Sequence, residues 1–89
     1  MIETEIQIIN KLGLHARAAA KFVHTANAFK SKITLGMDSR QIDGKSILGI
    51  LMLAAGKGTV LKLTIEGPDE RDACQSLAEL VEGRFGEGQ

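Results

Sequence analysis

The chain has 89 residues, 44% of them hydrophobic and 25% charged, which describes one small globular domain and excludes a disordered chain. Eleven Lys and Arg balance eleven Asp and Glu, so no net field draws the chain to nucleic acid or an anionic membrane. With no Trp, no Tyr and only Phe22, Phe29 and Phe85, it also lacks a base-stacking surface.

Residues 2–9 alternate, with Ile2, Thr4, Ile6 and Ile8 on one face and Glu3, Glu5 and Gln7 on the other, which predicts a half-buried strand. Gly13 breaks the pattern. From His15 to about Asn27 the spacing becomes helical: Ala19, Phe22, Val23 and Ala26 fall at i, i+3, i+4 and i+7. Ile33, Leu35 and Met37 alternate with Lys32, Thr34 and Gly36 in a second strand. Asp38-Ser39 suits a turn, and Arg40 to Asp43 a short return strand. Ser46 opens a short helix to about Leu53, and Ala54 to Gly58 form a loop. Leu61, Leu63 and Ile65 alternate with Lys62, Thr64 and Glu66 in a further strand, which Gly67-Pro68 ends. Asp69 and Asp72 have the spacing of an N-cap with an acidic third residue. Ala73, Cys74, Leu77, Leu80 and Val81 form the stripe of a last helix, with Gly83 as its C-cap. The tail Gly86-Glu87-Gly88-Gln89 is expected to fray. The order is β-α-β-β-α-β-α in a single domain over residues 1–89. Strands with one polar and one apolar face imply a sheet wet on one side and covered by helices on the other.

Cys74 is alone, so no internal disulfide is possible, which fits a reducing compartment. The N-terminal Met-Ile-Glu-Thr-Glu does not read as a signal peptide. The longest apolar run, Ile50 to Ala55, falls far short of the ~20 residues of a membrane span. A cytoplasmic location is the expectation.

The first helix breaks a local rule. A helix N-terminus carries roughly half a positive charge and up to four unpaired amides, and most helices answer with a polar cap and first-turn acids. Leu14-His15-Ala16-Arg17-Ala18-Ala19 offers neither acid nor hydroxyl. Free amides at Ala16 and Arg17, an Arg fork and a positive dipole end together describe an anion site for phosphate. The dipole end disfavours protonated imidazole, which leaves His15 a neutral nitrogen nucleophile. Attack on a phosphoryl donor gives phosphohistidine, with the phosphoryl oxygens meeting the amides and Arg17. The competing reading is that His15 and Arg17 are ordinary surface residues of a helix start. His24 lies nine residues on, about two and a half turns, so the two rings point apart and cannot share a metal. No metal and no cofactor is expected.

Ser46 precedes Ile47-Leu48-Gly49-Ile50-Leu51-Met52-Leu53, a segment apolar nearly all round. A domain this small buries one side of a peripheral helix, so some of Ile47, Leu48 and Leu51 are expected at the surface as a docking patch for protein partners. The alternative is a fully buried short helix. Ser46 reads as an N-cap. A phosphate there would suit the helix dipole and place about two negative charges beside the patch.

At Gly13-Leu14-His15-Ala16-Arg17 and Gly44-Lys45-Ser46-Ile47-Leu48-Gly49 the sequence resembles the HPr family, the histidine phosphocarriers of the bacterial phosphoenolpyruvate-dependent phosphotransferase system. The resemblance runs from about Ile2 to Glu82. It implies an α+β open-faced two-layer sandwich, a four-stranded antiparallel sheet with three helices on one face. It implies that His15 is phosphorylated on Nδ1 by enzyme I, which draws on phosphoenolpyruvate, and that the phosphate passes to a IIA-type acceptor, with Arg17 assisting. Ile47, Leu48 and Leu51 match docking positions, and Ser46 matches the serine that an HPr kinase/phosphorylase modifies. The chain departs from the family pattern at Ala18, where Pro is usual, at Leu12, where many members have Ser or Thr, and at Ala54, where Gly is common. The expectation is a stoichiometric carrier in sugar transport, not an enzyme, and a monomer. A regulatory protein of carbon or nitrogen control, acting through the Ser46 face, is the alternative. A small hydrolase lacks any Ser, His and Asp arrangement to support it.

Overall fold

Four segments that alternate apolar and polar residues satisfy their backbone ladders and cover their apolar faces together only by pairing into one sheet. The computed structural model describes residues 1–87 and shows that arrangement. The elements run β1 (Ile2–Gln7), α1 (Ala16–Ala26), β2 (Lys32–Met37), β3 (Arg40–Asp43), α2 (Ile47–Leu53), β4 (Val60–Glu66) and α3 (Glu70–Glu82), with a 3-10 turn over Arg84–Gly86. The sheet is antiparallel throughout, in the order β1-β4-β2-β3. This is the expected α+β open-faced sandwich.

β4 is central because it is the strand with the most complete apolar face: Leu61, Leu63 and Ile65 are wholly buried. The register sets Ile6 against Leu61 on one side, and Leu35 against Leu63 and Ile33 against Ile65 on the other. A slip of one residue would turn all of these to water. α1, α2 and α3 close the apolar face, with Phe22, Ile50, Leu53 and Leu77 at most 1% exposed. Ala18, Ala19 and Ala26 are buried too, and side chains this small bring α1 close to its neighbours.

One glycine fixes the approach to α1. Gly13 has φ +68, and a Cβ there would lie 2.6 Å from the Ala55 carbonyl oxygen. The next amide, Leu14 N–H, donates to that same carbonyl at 2.9 Å. The loop after α2 is thus fastened to the turn before α1. Ala54, in the position where Gly is common, ends α2 in the left-handed region with φ +52.

Two expectations for the last third of the chain, the Asp69 cap and the frayed tail, need correction. Asp69 stands at the N-cap of α3 but makes no side-chain cap bond. Its carboxylate instead accepts from Lys30 N–H at 2.8 Å and from the Ser31 amide and hydroxyl. Buried Ser31 outcompetes the helix amides because its donors have no water to turn to. Gly83 is the C-cap as expected, but with φ −80 it is not left-handed. The left-handed residues come next, Arg84, Phe85 and Gly86 with φ 55, 54 and 76.

These residues reverse the chain, and the tail does not fray where the structure describes it. Phe85 is 1% exposed, and Lys21 Nζ donates to its carbonyl at 2.6 Å. Burying a phenylalanine stabilises by roughly 1.5–3 kcal/mol, which offsets much of the ~1–2 kcal/mol that each of Arg84 and Phe85 costs in the left-handed region. Gly88 and Gln89 lie outside the described residues.

The Ser31 hydroxyl and the Lys30 amide hold the Asp69 carboxyl below the usual carboxylate range. A lowered folded value means that stability is present above the unfolded value and lost as pH falls through the folded one. Urea unfolding of wild type and Asp69→Asn should therefore differ fully above the ordinary carboxylate range, about pH 5, and converge as pH falls through and below it.

Candidate functional site

The site is assembled where α1 begins. His15 is extended, with φ −76 and ψ 179, and stands at the N-cap, one residue before the first turn in which the sequence pattern placed it. Its carbonyl accepts the first helical bond, from Ala19 N–H at 2.8 Å. Its ring nitrogen Nδ1 accepts from Arg17 N–H at 3.3 Å. Nδ1 lies two bonds beyond Cβ, the same reach as a carboxylate oxygen of Asp, so imidazole does the work of an Asp cap. The helix expected to be uncapped is capped by its own histidine.

An amide can donate only to an unprotonated nitrogen, so Nδ1 carries a lone pair and the proton of the neutral ring sits on Nε2. Nε2 meets Glu87 Oε2. The other oxygen, Glu87 Oε1, accepts from Asn10 Nδ2 at 3.0 Å, and Asn10 Nδ2 also donates to the Gly13 carbonyl at 2.8 Å. Asn10 is wholly buried. The Asn10 amide, then the His15 ring and the Lys21 charge, hold the Glu87 carboxyl below the usual range against its partial burial. Glu87 is therefore an anion at neutral pH.

Beside this group lies an open depression of about 410 Å³, lined by Lys11, Leu12, Arg17, Gly86 and Glu87. Lys11 and Arg17 are exposed, and neither has an ion-pair partner within 4.0 Å among the described residues. Ala16 N–H and Arg17 N–H belong to the first turn, where helical carbonyl partners are missing by position. Two free cations, a positive helix end and a ring nitrogen lone pair on one surface suit a small anion such as a phosphoryl group. A depression of equal volume along Gly67–Asp72 is lined by three carboxylates and adjoins Lys30 and Ser31, beyond the other end of α1.

The remaining residues singled out in the sequence fall as follows. His24 is exposed in the last turn of α1, and it takes no part in the site. Ser46 caps α2, accepting from Gly49 N–H at 3.0 Å. Ile47 is 43% and Leu48 70% exposed, Leu51 is half-buried, and Met52, not anticipated, is 67% exposed. The end of α2 lies beside the His15 turn through the Leu14–Ala55 bond. Among the described residues no three His, Cys, Asp or Glu side chains gather to hold a metal, and no helix is long and apolar enough to cross a membrane.

Sequence reasoning missed Asn10 and Glu87. Asn10 continues the even-numbered inward positions of β1, so the alternation itself marks it as a buried polar residue. Glu87 left no such trace, because its place depends on the reversal around Phe85. Removing the Ser46 hydroxyl with Ser46→Ala should destabilise the fold by about 1 kcal/mol in urea unfolding, whereas Ser46→Asp, which retains an acceptor, should cost less.

The chain matches the family model described as "PTS HPr component phosphorylation site" over residues 2–83. It is 51% identical over 89 residues to the phosphocarrier protein HPr of Neisseria meningitidis serogroup A, covering 100% of both chains. Its fold is similar to a crystal structure of HPr from Thermoanaerobacter tengcongensis, with a TM-score of 0.94 and 48% identity, covering 98% of each chain. It is also similar to a structure of an HPr dimer from that organism, with a TM-score of 0.79 and 48% identity, covering 98% of this chain and 100% of that one.

Proposed function

The chain belongs to the HPr family of phosphocarriers of the phosphotransferase system, and from that premise we propose that it accepts a phosphoryl group on His15 Nδ1 from enzyme I, ultimately from phosphoenolpyruvate, and passes it to a IIA-type acceptor protein. Proteins of this family are carriers rather than catalysts, and each turnover leaves one phosphoryl group on one chain. The observation that carries the reading is the His15 ring at the helix N-cap, with Nδ1 unprotonated and only a long amide bond at 3.3 Å to give up.

The Nδ1 lone pair attacks phosphorus, the Nδ1–P bond forms, and the donor's bond to phosphorus breaks with its electron pair leaving on the donor. The Arg17 amide then turns from ring nitrogen to a phosphoryl oxygen, and the Ala16 amide, which has no bond to the ring, meets another. Arg17 stabilises charge on the moving group, which a guanidinium does best at the transition state. The site stays open, as a labile phosphohistidine awaiting a second protein requires. Partners dock on the apolar face of α2, on Ile47, Leu48 and Leu51, with exposed Met52 extending the patch. The protein works in the cytoplasm as a monomer.

Ser46 supports regulation in the same reading. Its hydroxyl sits at the N-terminus of α2 beside the exposed Leu48. A phosphate placed there by an HPr kinase/phosphorylase adds about two negative charges at the edge of the docking patch. A purely regulatory role in carbon or nitrogen control uses that face alone and leaves His15 idle.

Intact mass after incubation with phosphoenolpyruvate and catalytic enzyme I should show one added phosphate, lost in mild acid and absent in His15→Ala. No gain, or a gain retained in His15→Ala, overturns the reading. Arg17→Ala should slow transfer by about 10²-fold, the scale of one transition-state charge contact, while the affinity for enzyme I changes little. Weaker binding at an unchanged transfer rate would show a docking role instead. Ser46→Asp should weaken acceptance from enzyme I, most at low salt, and equal kinetics there would count against the patch.

A further inference from the structure

The site contains a group that phosphoryl acceptance as described does not use. Glu87, from the far end of the chain, stands against His15 Nε2, and a wholly buried asparagine holds it there. We propose that Glu87, set by Asn10, is a positioning residue that keeps the His15 proton on Nε2 and so presents Nδ1 as the nucleophile; the role in transfer rests on the phosphocarrier reading.

The bonding pattern demands a carboxylate. Asn10 Nδ2 and His15 Nε2–H are both donors, and they address the two oxygens of one side chain. Only a group that accepts at both ends satisfies them. Asn10 cannot reverse its amide to suit a different neighbour, because the same Nδ2 also donates to the Gly13 carbonyl at 2.8 Å. Its Oδ1 is buried and meets no donor among the described residues. An asparagine held in the core with one oxygen unsatisfied costs stability that an apolar residue would not. What the fold gains is a fixed Glu87.

The chemistry follows from the tautomer. Neutral imidazole shares one proton between two nitrogens, and in water either can hold it. The carboxylate selects Nε2–H. When the Nδ1–P bond forms, the donor's bond to phosphorus breaks and its electron pair leaves with the donor. The ring becomes positively charged, and no proton has to leave His15. That charge appears beside an ionised Glu87, which stabilises it as it develops. The same contact covers Nε2, so the phosphoryl group has one nitrogen available. Lys21 steadies the arrangement from α1 by holding the carbonyl of Phe85, two residues away.

The test compares wild type, Glu87→Ala, Glu87→Gln and Asn10→Ala by ring 15N NMR of His15 and by the rate of phosphate acceptance. Wild type should show the neutral ring protonated on Nε2. In Glu87→Ala a substantial Nδ1–H population should appear, acceptance should slow about 10-fold, and some phosphate should appear on Nε2. Glu87→Gln should lose nearly as much, because one end of glutamine donates and both neighbours are donors already. Glu87→Gln indistinguishable from wild type in both readouts would reduce the residue to a space-filler and overturn the proposal. So would a wild-type ring whose tautomer is unmoved by Glu87→Ala. Asn10→Ala should shift the ring in the same direction, and the Glu87 variants decide the matter if that change in the core unfolds the chain. The ring spectra need no phosphoryl donor, so they judge Glu87 separately from whether His15 takes phosphate.

Discussion

Helix α1 opens with a histidine and an arginine where helices ordinarily place acids, and the rest of the site follows from how that positive end meets an anion. The first turn of α1 holds no acidic residue. The missing charge comes from Glu87, 72 residues from His15 in the chain. The carboxylate does not approach the helix amides themselves. It takes the outer ring nitrogen, while the inner one caps the helix through Arg17 N–H. The imidazole thus stands between an anion and a helix dipole, and the amides keep their capacity for a second anion. In the phosphocarrier reading that second anion is the phosphoryl group. Two anions on one ring repel each other, which suits a group held for onward transfer.

The fold exists to hold these few atoms in register. β1 delivers Asn10 by continuing its inward alternation past Ile6 and Ile8. Gly13 lets the chain pass under Ala55 without a Cβ in the way, and this contact also fixes α2 beside the site. α3 ends at Gly83, and the left-handed turn beyond it drives Phe85 into the core and leaves Glu87 at the mouth. The site therefore draws on both ends of the chain, and the buried Phe85 connects its geometry to the core. The exposed apolar residues of α2, Leu48 and Met52 among them, sit on a helix whose following loop is fastened to the turn before His15.

Most of the scaffold was legible because it rests on periodicity. Alternation marked each strand, and β3 spans the expected Arg40 to Asp43. The 3.6-residue stripe marked α1 and α3, and Ser46 announced α2. At the site, His15 and Arg17 were legible because they broke a local rule at a helix start. What escaped notice depends on tertiary contacts. Asp69 has the spacing of a cap, yet buried Ser31 claims its carboxylate. Glu87 sits in a polar, glycine-rich tail that reads as frayed, and only the packing of Phe85 places it. Met52 occupies an apolar helix like its neighbours, and which face turns outward is decided by α1 and β3.

Backbone amide spectra recorded before and after phosphate loading test the central claim most directly, that the start of α1 is the anion site. The largest shifts should fall on the Ala16 and Arg17 amides and the Arg17 side chain, with Asn10 following and Ser46 to Leu53 little changed. Shifts centred on the Ser46 turn or on His24, with Ala16 and Arg17 unmoved, would contradict it.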